Sequence, residues 1–212
     1  MECELNTYLE FLASLLLVSV GHEREVIRYM TRLAGASLDE TGCELTHFAT
    51  RGEFQRVKSL VESHGLNPNG IEPNKNESNL IPVIAAAKIG NHEMVKLLIE
   101  NGAELNRSEI NTKTNITHAV AQHGHLAVMK YLIEIIPKEG LITLLNAQDA
   151  EGRTAARIAA WEGHHNILKL IGPYSKLNQS DFEDRTPLFA ACYMQHIDTV
   201  VQVIRSTRVS YP

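Results

Sequence analysis

Apolar residues along this chain recur in paired short blocks. In the stretch DAEGRTAARIAAWEGHHNILKLI (149–171), a block holding Ala159-Ala160 is followed by Gly163, two histidines and a second block. There Ile167, Leu170 and Ile171 fall at i, i+3 and i+4. The pattern predicts two short helices joined by a tight turn. Thr154 can cap the first helix through its hydroxyl, and Gly163 can adopt the positive φ the turn needs. The aliphatic triplet makes the apolar stripe of the second helix. Neither helix can bury its stripe alone, so the pattern requires neighbours of the same kind.

Those neighbours are present. The same frame recurs around Gly52 (FATRGEFQRVKSLVESHG), Gly90 (AAAKIGNHEMVKLLIENGAELN), Gly124 (AVAQHGHLAVMKYLIE) and, with Gln195 in the glycine's place, AACYMQHIDTVVQVI. A weaker copy begins at Gly21. The anchors 21, 52, 90, 124, 163 and 195 scatter around a period near ~33 residues, as expected for one repeated unit with insertions. In the last copy Thr186 caps, and Pro187 stands at the first helical position, where a missing N–H costs little.

These residues resemble ankyrin repeats, through the order Asp, Gly, Thr-Pro-Leu-His, Ala-Ala, Gly-His, paired aliphatics and Gly-Ala-Asp-x-Asn. The likeness covers about residues 38 to 206 well and 5 to 37 loosely. It implies an all-α solenoid of about five repeats, residues 38–212, behind a degenerate helical cap, residues 1–37. Only Gly152 keeps the hairpin glycine; Thr41, Asn79, Lys113 and Asp184 hold the equivalent places, and the copies starting at Leu38 and Ile110 are expected to have irregular hairpins. His118 alone keeps the motif histidine. In this family the histidine after the turn glycine bonds backbone groups and ties adjacent repeats, which implies a structural role for His22, His125, His164 and His196.

Two insertions interrupt the period. SHGLNPNGIEPNKNESN (63–79) reads as a long loop. EIIPKEGLITLLNAQD (134–149) should begin where Pro137 ends a helix; GLITLL can add a helical turn whose Leu141, Leu144 and Leu145 cover the core, but a solvated connection is the expectation for both. At the C-terminal end Val200, Val203 and Ile204 belong to the last recognisable helix, which is expected to contact another domain or subunit.

Composition narrows the function. A net charge of −5 argues against a broad nucleic-acid footprint. Phe11–Val20 is apolar, but it is preceded by glutamates and falls short of a membrane span. Cys3, Cys43 and Cys192 are isolated, which suits a reducing, cytoplasmic compartment. A metal site from His118, His123 and His125, or a thiol–base pair from Cys43 and His47, could be imagined. Gly124 interrupts the helix before His125, and His118 and His125 have structural explanations; Cys43 and His47 lack an organised third partner, and Cys192 reads as a small buried residue. No cofactor is expected.

The resemblance places the binding surface on the concave side, at the hairpin tips and between Ala-Ala and Gly. It implies Arg51, Lys88, Gln122, His123, Trp161, Glu162, Tyr193 and Met194 on the inner helices, and Glu151, Arg153, Phe182 and Arg185 on the fingers. Trp161, Phe182, Tyr193 and Met194 are the expected anchors, with Arg153 and Arg185 pairing acidic groups of a partner protein. The expected function is thus non-enzymatic protein binding. The alternative is a targeting or regulatory segment of a larger enzyme, or of a bacterial effector acting in a host cytosol, with the catalytic part beyond residue 212.

Overall fold

The computed structural model describes residues 45–63, 65–69 and 81–209, with the side chains of 208 and 209 excepted. The expected cap over 1–37, the Gly21 copy with His22, Cys3, Thr41, Cys43, Asn79 and most of the 63–79 loop lie outside these residues. Among the described residues all regular structure is helical. Inner helices are α1 (45–50), α3 (Pro82–Ile89), α5 (Ile116–His123), α8 (Ala155–Trp161) and α10 (Pro187–Tyr193). Outer helices are α2 (Phe54–Lys58, continued by a π turn at Ser59–Ser63), α4 (His92–Glu100), α6 (Leu126–Ile135), α9 (His165–Ile171) and α11 (Ile197–Val209). Helix α7 (Lys138–Asn146) stands between α6 and α8. Each inner helix from α3 onward packs on the next, and each outer helix on the next, giving a two-layer solenoid.

The caps follow the sequence. Thr154 and Thr186 accept from the N–H groups of Arg157 and Phe189 at 3.3 and 3.2 Å, and Asn91 accepts from Met94. Asn115 and His118 form a reciprocal capping box on α5. Inner helices approach closely because their contact faces are small: Ala86, Ala87, Ala119, Ala121, Ala159, Ala160, Ala190 and Ala191 are all buried. On α9 the fully buried stripe is Ile167, Leu168 and Ile171; Leu170, expected within it, packs only at the core's edge.

One contact recurs between repeats. His125 Nε2–H donates to the Lys88 carbonyl at 2.8 Å, His164 to that of Gln122 at 3.2 Å, and His196 to that of Trp161 at 3.0 Å. None of these bonds caps the helix that follows; His125 and His164 occupy N-cap places on α6 and α9 without capping through the side chain. To reach back, each imidazole crosses the turn glycine of the preceding repeat. A Cβ on Gly124 would lie 2.6 Å from the His164 ring, and one on Gly163 would lie 2.9 Å from His196. These glycines have φ of 72° and 79°, and Gln195 adopts φ 59° in the same place.

The 134–149 insertion departs from the expected solvated connection. Ile136 and Pro137 break the chain after α6, and Lys138–Asn146 forms the full helix α7, with Leu141 and Leu145 buried in the core and Leu144 half-buried. Its C-terminal carbonyls need partners, and α5 supplies them. Asn115 Nδ2 and Thr117 Oγ1 donate to Leu144 O at 3.0 and 3.1 Å, and His118 Nε2–H to Ala147 O at 3.0 Å. His118 Nδ1 accepts from Asn115 N–H, so both ring nitrogens are committed to the backbone. Burial pushes this imidazole below its ordinary value, against Asp149 and the carbonyls, and holds it neutral. In the other insertion, Asn69 is latched to the end of the next repeat by bonds with Gly102 O and Glu104 N–H.

The glycine–histidine crossing sets a graded cost. Gly52→Ala meets only Ile89 at 3.9 Å, because the next repeat carries Asn91 where the others carry histidine; it should lose ~1 kcal/mol from backbone strain alone. Gly124→Ala adds the steric clash with His164 and should lose at least ~2 kcal/mol. Urea denaturation of the two variants checks the order.

Candidate functional site

The surface expected to meet a partner is built from two kinds of element, the C-terminal ends of the inner helices with the turns after them, and the fingers that connect repeats. The finger at 149–153 closes by Asp149 N–H to Arg153 O at 3.0 Å, and that at 181–185 by Asp181 N–H to Arg185 O at 3.1 Å. In each, the opening aspartate also accepts two backbone N–H groups within its own turn. Asp184, at φ 58°, takes the conformation that Gly152 takes at 78°. The finger starting near Ile110 is irregular, as expected. Its closing bond runs from Glu109 to Thr114, one residue longer, with Lys113 at φ 52°. Neighbouring tips are joined by Ala150 N–H to Thr112 O and Phe182 N–H to Glu151 O.

All the expected site residues lie on these elements, but in distinct groups. Arg51 stands exposed at the α1–α2 turn beside Glu53. Lys88 is held by Glu109 at 2.6 Å. Gln122 and His123 are exposed at the end of α5; the His123 ring stacks on His125 at 5.9 Å. Partial burial, His125 and Lys88 push the His123 imidazole down.

The structure gathers an aromatic column at the C-terminal half. Trp161 stacks on Tyr193 with centroids 5.7 Å apart, and Tyr193 on Phe189 at 6.0 Å. The Arg157 guanidinium lies 4.8 Å from the other end of the column, over Trp161. Trp161 is half-buried, while Tyr193 is 66% exposed and Phe182, on the adjoining finger above Gly152, 72% exposed. Met194 ends α10 and is exposed. Glu162 lines a shallow cleft with Gln122, Arg153, Arg157 and Trp161.

Two arginines are placed differently from expectation. Arg153 donates to Asp149 at 2.7 Å and pairs Glu151 at 3.0 Å. Arg185 donates to Asp181 at 2.9 Å and pairs Glu183 at 2.6 Å. Their guanidinium groups brace the fingers and are already neutralised within the chain. Cys192, expected to be buried, is exposed: its counterpart Ala160 is covered by the next inner helix, and no described helix covers α10 on that side.

Arg157 and Asp181 were not singled out from the sequence. Their side chains are 4% and 0% exposed and meet at 3.0 Å, joining α8 to the next finger. The available signal was register, since Arg157 stands where His118 stands in α5. A charge at a buried place needs a counter-ion, and Asp181 opens the finger above it. Burial opposes the Asp181 charge, but hydrogen bonds from Arg185 and Glu183 and the charge of Arg157 outweigh it and hold the carboxyl below its ordinary value. Phe189 was also missed; nothing in the sequence marked it as exposed.

None of these groups forms an organised nucleophile and base. Among the described residues no cluster of three or more His, Cys, Asp or Glu has metal-binding geometry.

The chain matches a family model described as ankyrin repeats (3 copies), over residues 45–139 and 83–181. It is 28% identical over 142 residues to cyclin-dependent kinase inhibitor 2A of Homo sapiens, covering 67% of this chain and 83% of that protein. It is 27% identical over 205 residues to alpha-latrocrustotoxin-Lt1a of Latrodectus tredecimguttatus, covering 88% of this chain but 13% of the toxin. A third relative is the probable E3 ubiquitin-protein ligase XBOS32 of Oryza sativa subsp. japonica, 30% identical over 62% of this chain and 25% of the ligase.

Removing one member of the buried pair strands the other. Asp181→Asn should lower stability at pH 7 by about 3–5 kcal/mol. The wild-type advantage is present above the ordinary aspartate value and shrinks as pH falls through the lower folded-state value, where Asp181 is itself protonated. Urea melts of both proteins across that range check the magnitude and the sign.

Proposed function

The chain belongs to the ankyrin-repeat family, and from that premise we propose that it is a non-catalytic module that binds another protein through its concave face. The observation that carries this reading is the exposed run of rings, Tyr193 and Phe189, stacked on from half-buried Trp161, with Phe182 and Met194 also exposed. Contiguous exposed rings of this kind supply contact area at low conformational cost and dominate interface energies. The backbone beneath them is fixed: His196 holds the Trp161 carbonyl, and the fingers are closed by their own aspartates. Such a surface loses little entropy on binding. Arg51, Lys88, Gln122, His123, Glu151 and Glu162 continue the same face and set specificity around the anchors.

A second reading is an ankyrin segment that recruits targets for a larger protein. The small shares of the toxin and the ligase that align, 13% and 25%, favour it. On this reading Leu188, Phe189 and Ile197, exposed at the C-terminal side of the array, contact a further domain or subunit. Among the described residues no helix is long and apolar enough to cross a membrane.

The test is capture of partners, their identification, and titration of the purified pair with three variants. Trp161→Ala and Tyr193→Ala should weaken binding by at least ~30-fold, equivalent to ~2 kcal/mol. Lys130→Ala, on the outer face of α6, should leave it unchanged, and circular dichroism should match the wild type in all three. Loss with Lys130→Ala and not with the groove variants would move the site to the convex face.

A further inference from the structure

We infer that the segment taken by the aromatic column is basic, with an arginine or lysine side chain laid against the exposed Tyr193–Phe189 face. The inference rests on the groove reading above and adds the chemistry of the partner. Its first support is charge. Every cation on this half of the groove is already held: Arg153 is shared by Asp149 and Glu151, while Arg157 and Arg185 converge on Asp181, with Glu183 also on Arg185. Glu162 and Asp184 are exposed and form no ion pair with a described residue. The uncompensated charge, on Glu162 in the cleft with Trp161 and on Asp184 in the finger that carries Phe182, is therefore negative.

The second support is the column itself. Its inner end already shows the geometry in question, a guanidinium 4.8 Å from the Trp161 ring, within a stack whose planes are tilted by 16° and 15°. Toward the outer end Tyr193 and Phe189 are 66% and 49% exposed, and among the described residues no cation lies over their rings. An arriving guanidinium meets π faces and unpaired carboxylates together, and each strengthens the other's attraction for a cation. An acidic segment would instead face Glu162 and Asp184 with no free arginine to receive it.

Trp161 is the sole tryptophan in the sequence and stacks on Tyr193, so its fluorescence reports occupancy of this site directly. Three synthetic peptides of equal length and equal apolar content serve as probes, one bearing arginines, one glutamates and one serines at the polar positions. The arginine peptide should perturb Trp161 saturably and bind at least ~10-fold tighter than the glutamate peptide at low salt, with the difference shrinking at high salt. Glu162→Gln/Asp184→Asn should weaken the arginine peptide several-fold and leave the serine peptide unchanged. Equal or tighter binding of the glutamate or serine peptide overturns the basic preference while leaving the groove as the binding surface. Arginine-peptide binding that ignores the double variant also overturns it. A Trp161 signal unmoved by all three peptides removes the column as a binding site, and with it the groove reading.

Discussion

The array depends on one reach across a turn. Imidazoles at the starts of α6, α9 and α11 cross a glycine and donate to carbonyls at the ends of the inner helices of the preceding repeats, those of Lys88, Gln122 and Trp161. Two requirements meet there. The glycine is needed for its left-handed backbone and for the missing Cβ that lets the ring pass. The histidine must carry a proton on Nε2, since only an N–H can satisfy a carbonyl. The same three residues stand at the C-terminal ends of their inner helices, so the contact that ties the repeats also fixes the backbone from which their side chains project.

A second, ionic scheme takes over where the array turns from one histidine to the next. In α5 the buried polar place is filled by His118, which ties the helix to α7 and to the Arg153 carbonyl through hydrogen bonds alone. In α8 the same place is Arg157, and the tie becomes a buried ion pair to Asp181. Desolvation makes such a pair costly on its own account. Here the cost is offset by the two-pronged geometry of the Arg157 contact and by three further bonds on Asp181, from the Glu183 and Arg185 N–H groups and the Arg185 side chain. The finger that carries Phe182 is thus anchored by charge to the helix that carries Trp161.

Much of this was legible in the sequence, because the glycine, alanine, histidine and threonine places have local physical meanings that survive without neighbours. Caps at Thr154 and Thr186, the back-bonding of His125, His164 and His196, and the turn at Gln195 all follow from position in the frame. What was not legible involves partners that meet only once the chain is folded. Arg153 and Arg185 read as free cations because their aspartates sit in the same finger, and only the closed turn shows that donor and acceptor meet. Residues 138–146 read as a connection because the period gave them no place; the pattern of Leu141 and Leu145 was visible, but not the unpaired side chains of α5 that complete the helix's end. Cys192 was given the burial of its equivalents, which depends on a covering helix that the register alone cannot supply.

The crossing has a consequence for how such an array can grow. At Gly52 the passage is open, and a repeat without the histidine follows it; at Gly90, Gly124 and Gly163 the ring fills the passage. Gln195 has the turn's backbone but not its emptiness. A repeat of the histidine-bearing kind placed after it would drive its imidazole into the Gln195 side chain, so duplication at that end cannot simply be propagated. A histidine-bearing unit there would need a glycine in place of Gln195, whereas a unit without the histidine, like the one that follows Gly52, would not. The turn at Gln195 is therefore selective about its neighbour, admitting a unit with a short residue at the histidine place and refusing one that carries the ring.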